Sequence, residues 1–267
     1  MSDVIHFIGG GNMATAIIGG LERLETPPPI VVVDPSEAVR HRHEAAGRET
    51  LASIDQLRGA SRVVLAFKPQ HFMAAAPEVS RALADDAVLI SLLVGTSAAK
   101  LESALPGGRI VRAMPNTPMM VGRGMTGIAA GTLATDQDLD LAAWLFEASG
   151  RVLRVEESRI DDIAAVSGSG PAYFFRFCEA LLQAATEQCG FTQDEATLLV
   201  SETAAGAMAY LAAQEDFPVA RLRQQVTSKG GTTEAALGVM NKADLNGLIA
   251  SALAAAQARA KELNADE

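Results

Sequence analysis

A short apolar run, Val4 to Ile8, breaks into three consecutive glycines, Gly9-Gly10-Gly11, and the chain resumes with helical periodicity through Ile17, Ile18 and Leu21. A strand, a bare turn and a helix in that order constrain the fold more than any other stretch of the chain. Gly9 permits the tight turn, Gly11 lets a bound pyrophosphate approach the backbone, and Ala14 stands where a third small residue allows close helix–strand packing. Thr26-Pro27-Pro28-Pro29 stops the helix. Ile30-Val31-Val32-Val33 then reads as a strand buried on both faces. Asp34 closes that strand, where an acidic residue accepts hydrogen bonds from the adenosine ribose of a dinucleotide. Read alone, a carboxylate there favours NAD, but Ser36 and Arg40 follow closely and could offset it. The alternative is that Asp34-Pro35-Ser36 only starts a turn and caps the next helix.

Further strands are expected at 63–67, 87–91, 110–113 and 127–130, with helical segments near 36–46, 71–84, 97–105 and 138–149. Strands alternating with helices imply a doubly wound parallel sheet of the Rossmann type. After about Val155 the strands vanish. One helix runs from Pro171 to Gln188 and stops at Gly190; the next opens on the capping-box pattern Thr192-Gln193-Asp194-Glu195. A short helix follows Pro218, another begins at Thr232–Thr233, and a last one runs from Asp244 to about Leu263. The fold class is therefore α/β: a dinucleotide-binding domain over 1–156, then an all-helical domain over 157–267. The helical part is so rich in alanine that it buries little area per residue, and a homodimer packed through it is expected.

Composition removes several functions. A net charge of −10 disfavours nucleic acid and acidic membranes, and 4% aromatic residues leave few stacking platforms. No apolar run reaches the roughly 18 residues that span a bilayer. The start Met1-Ser2-Asp3-Val4 has no basic segment, so a cytoplasmic location is expected. Cys178 and Cys189, if on one helix, stand about 16 Å apart, too far for a disulfide. His6, His41, His43 and His71 stand apart from both cysteines, so no metal is expected; His41 and His43 read as decoration of a solvated helix.

The strand ends carry the remaining candidates. Lys68 in Phe67-Lys68-Pro69-Gln70 could meet cofactor phosphates or ribose, or be a solvated lysine before a turn. Val94, after Ser91-Leu92-Leu93, would border the nicotinamide half. Asn116 in Met114-Pro115-Asn116-Thr117-Pro118 could orient the carboxamide or ribose, or simply cap a rigid loop. Ser167-Gly168-Ser169-Gly170-Pro171 implies close backbone approach at a helix start, and Tyr173 reads as an interface residue before a general acid. Far downstream, Thr227-Ser228-Lys229-Gly230-Gly231-Thr232-Thr233-Glu234 runs straight into a helical pattern. A glycine turn at a helix N-terminus offers unpaired N–H groups to a carboxylate or phosphate.

The ordered set GGGNMA, FKPQ, RAMPNTP, SGSGPAY and TSKGGTT resembles the Δ1-pyrroline-5-carboxylate reductases across essentially the whole chain. The resemblance implies reduction of a cyclic imine to proline by NADPH or NADH, a Rossmann domain and a helical dimerisation domain. It also implies a decamer of five dimers. Carried over by position, it assigns cofactor contacts to Ile8, Gly9, Gly10, Gly11, Asn12, Met13, Asp34, Ser36, Ser53, Phe67, Lys68, Val94 and Asn116. Substrate contacts fall on Glu157, Gln225, Ser228, Gly230, Gly231, Thr232 and Thr233, with Thr233 as hydrogen-bond partner of the imine nitrogen and Glu157 in electrostatic support. Lys229 departs from the proline usual before the paired glycines.

Two rival readings remain at this point. A 3-hydroxyacid dehydrogenase relative or imine reductase would share the scaffold, but the hydroxyacid enzymes generally use a lysine in the first helix of the second domain. Ser167 to Gln188 has none. A non-catalytic NAD(P) sensor would have no use for the second glycine turn.

Overall fold

The computed structural model describes residues 4–216 and 218–265, so the start Met1–Asp3 lies outside the described residues. Contacts divide the chain into two units, one of the residues up to Pro171 together with the chain from Ala255 on, the other Ala172–Ala254.

The first unit is built on an eight-stranded sheet in the order β3-β2-β1-β4-β5-β6-β7-β8. In chain order its elements begin with β1 (Ile5–Ile8), α1 (Asn12–Leu21), β2 (Ile30–Val33), α2 (Glu37–Glu44), β3 (Glu49–Leu51) and β4 (Ala60–Leu65). They continue with α3 (Phe72–Ala82), β5 (Leu83–Ser91), α4 (Ala98–Ala104), β6 (Arg109–Met114), β7 (Gly124–Ala130), α5 (Asp136–Glu147) and β8 (Gly150–Arg154). Strands β3 to β6 are parallel, as the alternation of strand and helix required. β7 departs from the all-parallel expectation: it runs antiparallel to β6 and carries β8 as a parallel neighbour. The connection 115–123 explains the reversal, being shorter than the dozen or so residues a parallel crossover needs. It holds a 3₁₀ turn, Thr117–Val121, closed by Gly122 at φ +70°.

Alternate residues of each central strand enter two different cores, as the two-residue period demands. Phe7, Val32, Val64, Ile90 and Val111 pack with Ile17, Ile18 and Leu21 of α1 and Leu145 and Phe146 of α5. Ile8, Val33, Leu65, Leu89 and Ile110 pack with Phe72 and Val79 of α3 and Leu101 of α4. Each fully buried Leu, Ile or Phe contributes about 1.5–3 kcal/mol, so helices are fixed on both faces of the sheet. After β8 comes the one-turn helix α6 (Ile160–Ile163), which passes into a π-helical turn, Ala164–Gly168. The last strand ends at Arg154, but tight packing continues to Pro171 because α6 contacts β6 and β7.

The helices α7 (Gly170–Cys189), α8 (Gln193–Ala212), α9 (Val219–Gln225), α10 (Thr232–Lys242) and α11 (Leu245–Ala265) complete the chain. The capping box at Thr192 is formed: Glu195 N–H donates to the threonine oxygen and the Glu195 carboxylate accepts from Thr192 N–H. Gly190 ends α7 at φ +76°. Cys178 and Cys189 both lie on α7 and are free thiols. Among the described residues, no helix is long and apolar enough to cross a membrane.

Candidate active site

β1 delivers the chain to Gly9, whose φ of +101° few side chains adopt and whose added Cβ would lie 2.6 Å from the Ala66 carbonyl oxygen. The turn is pinned from behind by Gly9 N–H to Val33 O at 2.8 Å and Gly10 N–H to Asp34 Oδ2 at 2.8 Å. Gly11 is the N-cap of α1 and supplies no side-chain cap, so the first N–H groups of the helix keep their donor capacity. A Cβ built on Gly11 would meet nothing within 4 Å. A backbone held this close to open space, at the positive end of a helix, suits a pyrophosphate.

The open space is a cleft of about 890 Å³ at the carboxyl ends of the strands, where ligands of such sheets bind. Ile8, Gly9, Gly11, Asn12, Met13, Asp34, Ser53, Phe67, Lys68, Val94 and Asn116 all line it. Gly10 and Ser36 do not: Gly10 is buried beneath the turn, and Ser36 is the exposed N-cap of α2. His71, Glu78, Met114, Pro115, Thr117 and Gly168 also line the cleft and were not singled out as contacts from sequence. Pro115 and Thr117 flank Asn116 in a motif already recognised; His71 and Glu78 carry no local signal.

Several side chains are already engaged. Both Asp34 carboxylate oxygens accept backbone N–H groups, from Gly10 and from Ser36 at 2.9 Å, so the residue builds the turn as well as facing the cleft. Arg40 donates to the Asp34 and Pro35 carbonyls, each at 2.9 Å. Asn116 is buried with its amide filled: Oδ1 accepts Met125 N–H at 2.9 Å and Nδ2 donates to Ser167 O and Oγ at 3.1 and 3.2 Å. It latches β7 and the π turn to the cleft wall. Lys68 is exposed at the cleft rim.

His43 is a correction. The sequence puts it with His41 on a solvated helix face, but only His41 is exposed; His43 is fully buried against the glycine turn, its Nε2 2.9 Å from Gly10 O.

Glu157 lies outside the cleft lining. Its Oε1 accepts Ala98 N–H at 2.6 Å, at the start of α4, and pairs with the buried Arg112 at 3.1 Å. Asp161 stands 4.0 Å from the same guanidinium. A buried cation between two carboxylates, one of them also capping a helix, is a well-compensated structural cluster.

In the second unit, Ser228, Gly230, Gly231, Thr232 and Thr233 are gathered on one turn, with Gln225 at the exposed end of α9. Gly230 has φ +72°, and Gly231 N–H closes the turn on Ser228 O at 3.0 Å. Glu234 reaches back to accept the Gly230 N–H at 2.6 Å. Gly231 begins α10 with no side-chain cap, and the first intrahelical bond is Ala235 N–H to Gly231 O. The N–H groups of Thr232, Thr233 and Glu234 are therefore the ones left for an anion, a narrower set than the whole Ser228–Thr233 turn.

A family model described as "Pyrroline-5-carboxylate reductase dimerisation" matches residues 157–263, and one described as "NADP oxidoreductase coenzyme F420-dependent" matches residues 4–95. The chain is 39% identical to a pyrroline-5-carboxylate reductase of Pasteurella multocida, over 97% of each sequence. A solved pyrroline-5-carboxylate reductase from Coxiella burnetii superposes with a TM-score of 0.88 at 40% identity, covering 98% of this chain and 99% of that one. The pyrroline carboxylate reductase of Plasmodium falciparum, solved with NADP bound, superposes with a TM-score of 0.83 at 25% identity, covering 98% and 99%.

Proposed function

The chain belongs to the pyrroline-5-carboxylate reductase family, and from that premise we propose how its residues divide the reaction. The protein is an NAD(P)H-dependent oxidoreductase that reduces the C=N bond of Δ1-pyrroline-5-carboxylate to give L-proline, the last step of proline biosynthesis. When bound, the dinucleotide supplies hydride from its nicotinamide to the imine carbon. The residues of the cleft fit such a group: Gly9 leaves no room for a side chain beneath the turn, Gly11 leaves open space above it, and α1 presents uncapped N–H groups. The turn and Asn12–Met13 hold the pyrophosphate, Asp34, Ser36 and Ser53 attend the adenosine end, and Phe67, Lys68 and Val94 line the path toward the nicotinamide. Asn116 fixes that wall from behind.

The substrate is an imine bearing a carboxylate. We assign the carboxylate to the N–H groups at the start of α10, with Ser228, Gly230 and Gly231 shaping the turn and Gln225 beside it. Lys229 adds positive charge to the same turn. The imine nitrogen gains a proton as its carbon gains hydride, and the Thr233 hydroxyl is the hydrogen-bond partner assigned to that nitrogen. Glu157 takes a supporting part, holding Arg112 and the start of α4 rather than moving a proton. The family's dimerisation domain makes the protein an oligomer; we propose homodimers, gathered as five into a decamer, in the cytoplasm. The observation that carries the residue assignment is the pair of uncapped, glycine-led helix starts at α1 and α10.

The deciding experiment follows NAD(P)H absorbance with purified protein and pyrroline-5-carboxylate, using each cofactor separately. Substrate-dependent oxidation is expected, and Thr233→Ala should lower kcat/KM by about tenfold or more while leaving the cofactor Kd unchanged. Turnover unaffected by Thr233→Ala would remove that residue from the reaction. Tight dinucleotide binding without turnover would sink the assignment of substrate.

A further inference from the structure

We propose that His43 is a positioning residue for the dinucleotide, acting by setting the orientation of the Gly10–Gly11 peptide; the inference rests on reading the cleft as the NAD(P)H site. His43 is fully buried although α2 is otherwise polar and largely exposed. Its Nε2 lies 2.9 Å from the Gly10 carbonyl oxygen, which can only accept, so Nε2 carries the ring proton. Its Nδ1 lies 2.9 Å from a guanidinium nitrogen of Arg48, which can only donate, so Nδ1 is bare. Arg48 is itself held by two bonds to Glu22, at 2.6 and 2.7 Å. One tautomer is thus fixed at both ends of the ring, with Arg42 adding a longer donation of 3.3 Å to the same Gly10 carbonyl.

The geometry of the peptide turns this contact into a function. Every peptide bond described is trans, and in a trans unit C=O and N–H point in opposite directions. Drawing the Gly10 carbonyl onto the buried imidazole therefore directs the Gly11 N–H to the other side, where Gly11 lines the cleft. The clamp is needed because three successive glycines have more backbone alternatives than any other residues. Gly10 completes the fit. A Cβ there would lie 2.9 Å from His43 Nε2 and 2.7 and 2.8 Å from the Cγ1 atoms of Val39 and Val32, so the turn sits directly on the imidazole. A residue that only filled space would have no use for two matched ring bonds.

The test compares His43→Leu, which keeps bulk and loses the donor, with His43→Gln, whose amide N–H reaches roughly where Nε2 does. The NADPH Kd is read by fluorescence titration, and kcat and both KM values by steady-state assay. His43→Leu is expected to raise the cofactor Kd and KM about tenfold or more, with kcat at saturating cofactor within about twofold of wild type. The KM for pyrroline-5-carboxylate should stay unchanged, and His43→Gln should recover most of the loss. A folded His43→Leu enzyme with the wild-type Kd overturns the proposal. So does a His43→Gln enzyme no better than His43→Leu, or a fall in kcat accompanied by a rise in both KM values. Should His43→Leu not fold, Arg48→Gln carries the test: by releasing Nδ1 it should raise the NADPH Kd several-fold, and an unchanged Kd overturns the proposal. Wild-type protein that binds neither cofactor would instead overturn the reading of the cleft, and the inference with it.

Discussion

A methyl group added at Gly9 would lie 2.6 Å from the Ala66 carbonyl oxygen, on a backbone at φ +101°; one added at Gly11 would meet nothing within 4 Å, on a backbone at φ −67°. The first glycine serves the fold and the second serves the ligand. Gly9→Ala is expected to destabilise the protein by about 2 kcal/mol or more, from backbone strain and displacement of the β4 end, measured by urea denaturation. Gly11→Ala should melt as wild type does yet bind NAD(P)H roughly tenfold more weakly. Normal binding by Gly11→Ala would mean that no ligand approaches that backbone. Both glycines were legible because strand, turn and helix are consecutive in sequence. His43 was not, because its neighbours Arg40, His41, Arg42 and Glu44 spell a solvated helix, and its burial comes from Gly10, which stands 33 positions earlier in the chain. Asn116 was legible as a cleft residue, but not as a latch: the partners that fill its amide, Met125 and Ser167, belong to elements brought in by the tertiary fold.

Short elements at the sheet margins escaped the sequence for a related reason. β3 has three residues and β8 five, and both are too short and too exposed to leave an apolar pattern. β3 nevertheless anchors the site, because Arg48 immediately precedes it and pairs with Glu22, the C-cap of α1. A carboxylate at a helix C-terminus opposes the dipole there, and Arg48 offsets that cost while joining α1 to the chain after α2. The hydrogen bonds from Arg48 hold the Glu22 carboxyl below its ordinary pKa, against a smaller opposing effect of burial. The sign follows from linkage. A carboxylate whose pKa is depressed by folding contributes its full stability above the unfolded-state value and loses it as pH falls through the folded value. Glu22→Gln should thus cost about 1 kcal/mol or less at neutral pH, the pair being partly exposed. Thermal melts of the two proteins should converge as pH drops below the carboxylate range. A difference that persists unchanged in acid would show that Glu22 acts through shape, not charge.

At the scale of the whole molecule the two units differ in how they hold themselves together. The sheet unit keeps two apolar cores, whereas among the described residues of 172–254 only Ala196, Val200 and Leu211 are buried. Large apolar side chains there stand in solvent in the single chain, including Phe174 at 62%, Phe175 at 68% and Leu248 at 65% exposure. Each would contribute about 1.5–3 kcal/mol on burial, and a soluble chain rarely leaves such a surface uncovered. The alanine content that pointed to a partner in the sequence explains this: small side chains let helices approach closely, but one chain alone encloses little. The sequence could not reveal which residues face the partner, since α8 lacks a sharp boundary between apolar and polar faces, and Leu198 and Leu199 are exposed just as Ser201 is. Sedimentation velocity should therefore find no appreciable 27.9 kDa species at micromolar concentration, and the urea midpoint should rise with protein concentration, as folding linked to association requires. Phe175→Glu places a charge on this surface in every chain, twice per symmetric dimer, and should shift the mass toward the monomer with loss of helical signal from the second unit. A wild-type monomer with an unchanged melting temperature would show that the second unit folds on its own. A stable mass near ten chains would extend the same interface logic from the dimer to the ring of five.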